Sequence, residues 1–210
     1  YWWRFNGTNL NSPITNSLTL TNVQLTNAGN YFVVVSNSVG AVTSRVALLT
    51  VLLPETPGTH YVDVNGASPA SPFTNWTTAA RTIQDAVDVA APGDEIVVTN
   101  GVYATGGRAV YGTSLNRVAV NKAVTIRSAR GPQFTSIQGN QVTGTTNGDA
   151  AVRCAYLANG ASLIGFTLTN GATRSAGDYL TEQCGGALWC GTTGVVSVAV
   201  MVSNCVITGN

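Results

Sequence analysis

The stretch Ala151–Asn170, AVRCAYLANGASLIGFTLTN, decides the fold. Its apolar residues fall in short runs: Val152, Tyr156-Leu157, Leu163-Ile164, Phe166 and Leu168. Asn159-Gly160 and Gly165 separate them with turn chemistry. Each run is too short for a helix and long enough for one strand. The pattern returns downstream. Ala187-Leu188-Trp189-Cys190 echoes Ala151-Val152-Arg153-Cys154, and Asn204-Cys205-Val206-Ile207-Thr208 echoes Gly165-Phe166-Thr167-Leu168-Thr169. Val118–Asn121 and Val124–Ile126 form an earlier copy. A period in the thirties, stretched by loop insertions, predicts a solenoid whose repeats bury their apolar faces only by stacking on their neighbours.

The bulk composition agrees with an all-β chain. Charged residues are 9% of the 210, the apolar share is 44%, and the formal net charge is +1. Apolar content of that size excludes a disordered chain. A charge near zero gives no general attraction to nucleic acid, so no nucleic-acid partner is expected. No apolar run is long enough to span a bilayer, and no signal peptide is visible. The chain opens on Tyr1-Trp2-Trp3 and stops at Asn210 within a repeat, so it reads as a fragment of a longer protein.

Working back to the start, residues 1–52 alternate in a second style. Leu18 and Leu20 alternate with Thr19 and Thr21, Tyr31, Val33 and Val35 alternate with Phe32, Val34 and Ser36, and Ala41–Leu52 is a long β run. Strands joined by short turns predict an antiparallel sandwich. Trp3, Asn6-Gly7 and Asn27-Ala28-Gly29-Asn30-Tyr31 resemble the buried tryptophan and the tyrosine corner of an immunoglobulin-like domain. The resemblance implies that Tyr31 bonds back to the backbone. It also implies that the first two strands precede Tyr1. Val33 stands where the family's second cysteine would be, so no inter-sheet disulfide is expected. Trp3 and Tyr31 read as core. Trp2, turned to the opposite side by strand alternation, is a candidate ligand contact.

Residues 53–60, LPETPGTH, break the β pattern and read as a linker. They resemble a sortase sorting signal with a proline inserted, but no hydrophobic tail or basic end follows. His60, the single histidine, reads as an ordinary linker side chain. Residues 61–210 form the solenoid. Tyr61–Val64 reads as a strand and Thr78–Ala91 as a helix, with Ile83, Val87 and Ala90 on one face and Gln84, Asp85 and Asp88 on the other. Pro92-Gly93 ends it. A short amphipathic helix there would cap the first coil. This order, with T-I-Q-x-A-V and then Gly93-Asp94-Glu95-Ile96-Val97-Val98-Thr99-Asn100-Gly101-Val102-Tyr103, resembles the entry of right-handed parallel β-helices of the pectin lyase-like class. Asp94 reads as a turn residue. Gly185-Gly186-Ala187-Leu188 and Ile207-Thr208-Gly209-Asn210 are similar to the repeats of polymorphic outer membrane proteins, which are secreted adhesive β-helices.

Two insertions, Gln141–Gly148 and Ala172–Gln183, point to one loop-bearing face. Cys154, Cys184 and Cys190 are candidates for a disulfide, Cys154–Cys190 or Cys184–Cys190, against buried thiols as the alternative. From Gly101 to Arg174 the basic residues are Arg108, Arg117, Lys122, Arg127, Arg130, Arg153 and Arg174, facing one acid, Asp149. A basic coil can attract an anionic polysaccharide. The polygalacturonase motifs N-T-D, D-D, G-H-G and R-I-K are absent from the sequence. The candidates left for catalysis are Asp149, Arg153, Arg174 and Asp178, with Ca²⁺ as a cofactor only if the chemistry is that of a lyase. The expectation is therefore an exported or cell-surface modular protein: an incomplete immunoglobulin-like sandwich, then a right-handed parallel β-helix with a short N-terminal capping helix. A non-catalytic adhesive or glycan-binding role is expected for this segment. The alternative is a polysaccharide lyase or glycoside hydrolase whose catalytic rungs lie mostly beyond residue 210.

Overall fold

The alternating residues of the first fifty positions fold as one antiparallel sheet. The computed structural model describes residues 1–10, 15–51, 56–191 and 198–210, and falls into two units, Tyr1–Thr56 and Pro57–Asn210. In the first unit β1 (Trp2–Phe5) and β2 (Thr8–Asn9) form a hairpin through Asn6-Gly7. The hairpin pairs with β3 (Gly29–Ser36), Trp2 facing Val34 and Phe5 facing Tyr31. The long run expected over 41–52 splits into β4 (Ala41–Thr43) and β5 (Ala47–Leu49), both paired with β3. The break falls at Ser44, whose hydroxyl accepts the Val33 amide and displaces the ladder. Leu52 lies outside the described residues. No strand forms over 18–21; Leu18 and Leu20 instead line a cavity of about 300 Å³ with Trp3, Tyr31 and Ala47–Leu49. Among the described residues this unit has one sheet. Tyr31 is buried, and its hydroxyl donates to the Asn27 carbonyl at 2.7 Å. Trp2 is half exposed.

The second unit is a parallel β-solenoid. It opens with β6 (Thr59–Val62), α1 (Ile83–Val89), β7 (Glu95–Val98) and β8 (Gly101–Tyr103). After the short β9 (Arg108–Ala109), the next coil is β10 (Leu115–Val120), β11 (Thr125–Ser128) and β12 (Thr135–Gln138). The third coil is β13 (Val152–Leu157), β14 (Ser162–Ile164) and β15 (Thr167–Thr169). The fourth is β16 (Leu188–Cys190), β17 (Met201–Ser203) and β18 (Val206–Thr208). Equivalent strands stack into three sheets: β6-β7-β11-β14-β17, β8-β12-β15-β18 and β9-β10-β13-β16. All neighbours are parallel except β9 with β10.

Stacking explains the apolar repeat. One inward column runs Ile96, Ile126, Leu163, Val202 and another Tyr103, Ile137, Leu168, Ile207. The first three members of each are at most 2% exposed, whereas Val202 is 38% and Ile207 56% exposed. Each fully buried side chain contributes about 1.5–3 kcal/mol relative to exposure.

The expected helix shortens at its start. Ala80 is extended and bonds both Tyr61 and Asp63 across β6, so α1 begins only at Ile83. Thr82 caps it by accepting the Asp85 amide. Gln84, expected on the outer face, is buried: its Oε1 accepts the Ala119 amide at 2.7 Å, and its Nε2 donates to Asp88. A side-chain amide thus satisfies part of the edge of β10 where no strand pairs with it. His60 and Thr59, read as linker, lie in β6, and His60 is buried. Leu53–Glu55, which carry the sorting-signal likeness, lie outside the described residues. α1 has seven residues, and among the described residues no helix is long and apolar enough to cross a membrane.

Candidate functional site

Strand alternation on β13 sends Ala155 and Leu157 inward and Tyr156 outward. Tyr156 lies beside Trp189 of β16, their rings stacked at 5.3 Å. Tyr111 packs edge-on against both, at 5.9 and 5.3 Å. Arg153 is 2% exposed; its guanidinium lies 5.6 Å over the Trp189 ring and donates to the carbonyls of Cys184 (2.8 Å) and Thr181 (2.6 Å). Burial pulls the Arg153 pKa below its ordinary value, against the raising influence of Cys184 and Glu182. The side chain ties β13 to the Ala172–Gln183 insertion.

The other three sequence candidates, Asp149, Arg174 and Asp178, meet around Glu182 of the second insertion. Arg174 bonds Asp149 at 2.8 Å and Glu182 at 2.7 Å. Glu182 Oε1 also accepts from the Thr113 amide and hydroxyl, and Oε2 accepts from the Asp178 amide. The Thr113 and Asp178 amides, then the Arg174 guanidinium, hold the Glu182 carboxyl down at about 2. Asp178 accepts the Thr181 hydroxyl and amide, which pull its pKa below the usual carboxylate value. Gly112 and Gly177 make room for this hub. A Cβ would come within 2.6 Å and 2.2 Å of the Glu182 carboxylate, and both have positive φ. The two insertions meet here: Asn147 accepts from the Thr173 amide and hydroxyl, and the Gly148 amide donates to the Thr173 carbonyl. The hub is a clasp joining the loop before β10 to both insertions.

The aromatic stack was not foreseen from the sequence. Tyr156 and Trp189 occupy one register position, and that was the available signal. The sequence echo aligned Cys190 with Cys154 instead. The observed register sets Leu157 against Cys190, three residues away. That offset is about 10 Å along a strand, beyond the roughly 7 Å Cα separation a disulfide tolerates. All four cysteines are free thiols. Cys154 is buried, donates to the Thr169 carbonyl and has its thiol pushed up to about 11 by burial. Cys184 donates to the Tyr179 carbonyl, and burial raises the exposed-edge Cys190 thiol as well.

Most of the basic stretch is committed to local partners, acids for some residues and backbone carbonyls for others. Arg108 pairs with Asp88 and Arg127 with both oxygens of Glu95. Arg117 donates to the carbonyls of Gln138 and Gly106, and Lys122 to those of Asp88 and Ala90. Arg130 differs. Among the described residues its guanidinium has no acid or carbonyl partner and lies 5.2 Å over the Phe134 ring. Phe134 is 51% exposed and borders a groove of about 470 Å³ on the outer face of the β8 sheet. The floor carries Ser136, Thr167 and Thr169 on adjacent coils, and Val102, also exposed, closes one side.

No family model, curated protein or solved structure matches this chain. Among the described residues no three His, Cys, Asp or Glu side chains converge as a metal shell.

Proposed function

We propose that this segment is a non-catalytic, glycan-binding part of an adhesive protein that is exported or held at the cell surface. In this reading an immunoglobulin-like module precedes a right-handed parallel β-helix of the pectin lyase-like class, with α1 as its N-terminal cap. The Tyr31–Asn27 bond supports the first assignment, and the packing of Gln84 on β10 supports the last. The groove on the β8 sheet carries the binding reading. An exposed aromatic ring, hydroxyls repeated at the rung spacing of about 4.8 Å and an uncompensated guanidinium suit an extended polysaccharide bearing carboxylates.

A lyase or hydrolase is the second reading, favoured by the convergence of Asp149, Arg174 and Asp178 beside Arg153. A glycosidase acid must stay protonated near neutrality. Glu182 and Asp178 are pulled the other way, and their oxygens are occupied by protein donors. Ca²⁺ belongs to this reading alone, and carboxylates already held by Arg174, Thr113 and Thr181 do not fit an open calcium shell.

The test is retention of the chain on uronate-containing and neutral polysaccharides, with and without Ca²⁺, following unsaturated products and new reducing ends. Retention on an acidic polysaccharide, weakened by salt and cut roughly tenfold by Phe134→Ala or Arg130→Gln, is expected. Product in either assay overturns the non-catalytic reading. No retention on any polysaccharide overturns glycan binding.

A further inference from the structure

On the β8 sheet Tyr103, Ile137, Leu168 and Ile207 point inward. Strand alternation therefore sends two columns outward: Val102, Ser136, Thr167 and Val206, and beside them Gln138, Thr169 and Thr208. Neither column carries a charge, and neither does any residue lining the groove of about 470 Å³. The cation that borders this groove is Arg130, over the Phe134 ring. Arg117, at the Gln138 end, is committed to the carbonyls of Gln138 and Gly106. The groove thus pairs one available guanidinium with a neutral floor.

The floor is a hydroxyl surface of fixed spacing. Thr167 donates to the Pro132 carbonyl at 2.8 Å, so toward a ligand it can only accept. Ser136, on the adjacent coil, and Thr169 add hydroxyls that can donate and accept. The lining reaches from Val102 to Thr169 over three coils, about 10 Å across the rungs. A pyranose ring is about as long as one rung spacing, so the groove holds two or three sugars.

Resting on the glycan-binding reading above, we propose that this groove selects a polysaccharide in which a uronate alternates with neutral sugars, over a homopolymer of uronates. The uronate carboxylate pairs with Arg130. Its neutral neighbours cross the rungs over Ser136, Thr167 and Thr169, with their C–H faces against the exposed parts of Val102 and Phe134. One guanidinium compensates one carboxylate. In a polyuronate of the same length the remaining carboxylates would face Val102, the neutral floor or the Phe134 ring. An aromatic face is electronegative and repels an anion, and a carboxylate desolvated without a cation is costly.

The test compares three oligosaccharides of equal length on the full chain: uronate alternating with a neutral sugar, uronate throughout, and neutral throughout. Calorimetry reads affinity, and amide chemical shifts locate the contact. The alternating oligosaccharide should bind roughly tenfold tighter than the neutral one and roughly fivefold tighter than the polyuronate, a preference that salt narrows. Shifts should gather on Val102, Phe134, Ser136, Thr167 and Thr169. Arg130→Gln should erase the advantage over the neutral oligosaccharide and leave neutral binding as it was, whereas Phe134→Ala should weaken all three. Both side chains are exposed, so neither variant opens a core cavity. Affinity that rises with the number of carboxylates, or shifts confined to another face, overturns the proposal and leaves glycan binding standing. Absence of binding to all three overturns it too, and retention on whole polysaccharides then decides whether the glycan reading falls with it.

Discussion

Leu168 and Ile207 stand at the same ladder position on adjacent coils, so truncating each to alanine isolates what stacking contributes. Leu168 is fully buried between Ile137 and Ile207, while Ile207 is 56% exposed. Leu168→Ala removes three carbons, about 2.4 kcal/mol at roughly 0.8 kcal/mol each. A cavity closed by neighbouring coils adds to that, giving about 3–4 kcal/mol. Ile207→Ala removes the same carbons from a half-solvated position and should cost about 1 kcal/mol or less. Because the chain has two units, one global unfolding curve would blend them. Hydrogen exchange of the β12 and β15 amides reads the solenoid alone. In Leu168→Ala those amides should exchange roughly a hundredfold faster or more, at about 1.4 kcal/mol per factor of ten. Equal acceleration by the two variants, or less than tenfold for Leu168→Ala, would refute the argument that the coils are held by inward columns.

Two further outcomes follow from buried polar contacts. Gln84→Leu leaves the Ala119 amide without its acceptor, so the solenoid should lose about 1–3 kcal/mol, read as faster exchange across β10. The Glu182 clasp should be acid-resistant. Its pKa is depressed from 4.5 to about 2, so its stabilisation is present above 4.5 and disappears as pH falls through about 2. Limited proteolysis should therefore spare Ala172–Gln183 at pH 3.5 and cut it near pH 2. Glu182→Gln should bring that cleavage to neutral pH, because an amide cannot accept from Arg174, Thr113 and Asp178 together.

The legible part of this chain was whatever recurs at the rung spacing. Gly165-Phe166 and Asn204-Cys205 sit at the same corner because the same number of residues separates each turn from the strand after it, and their register came directly from the text. Leu188–Cys190 did not, because the twelve-residue insertion Ala172–Gln183 precedes it and removes the fixed count. Matching cysteine to cysteine was then the wrong guide. Packing matched aromatic to aromatic outside and Leu157 to Cys190 one residue on. The polar contacts were hidden for a deeper reason. His60 meets Asp94 34 residues on, Gln84 meets Ala119 35 residues on, and Glu182 meets Thr113 across 69 residues. Periodicity reports which face is apolar; it carries no information about which lone polar residue on one coil answers another. In a solenoid, where each coil touches only its neighbours, such residues are found where the repeat is interrupted: at the first coil, beneath a helix and inside an insertion. A histidine or glutamate in those places is better read as a fastener between segments than as a bystander of the segment that contains it.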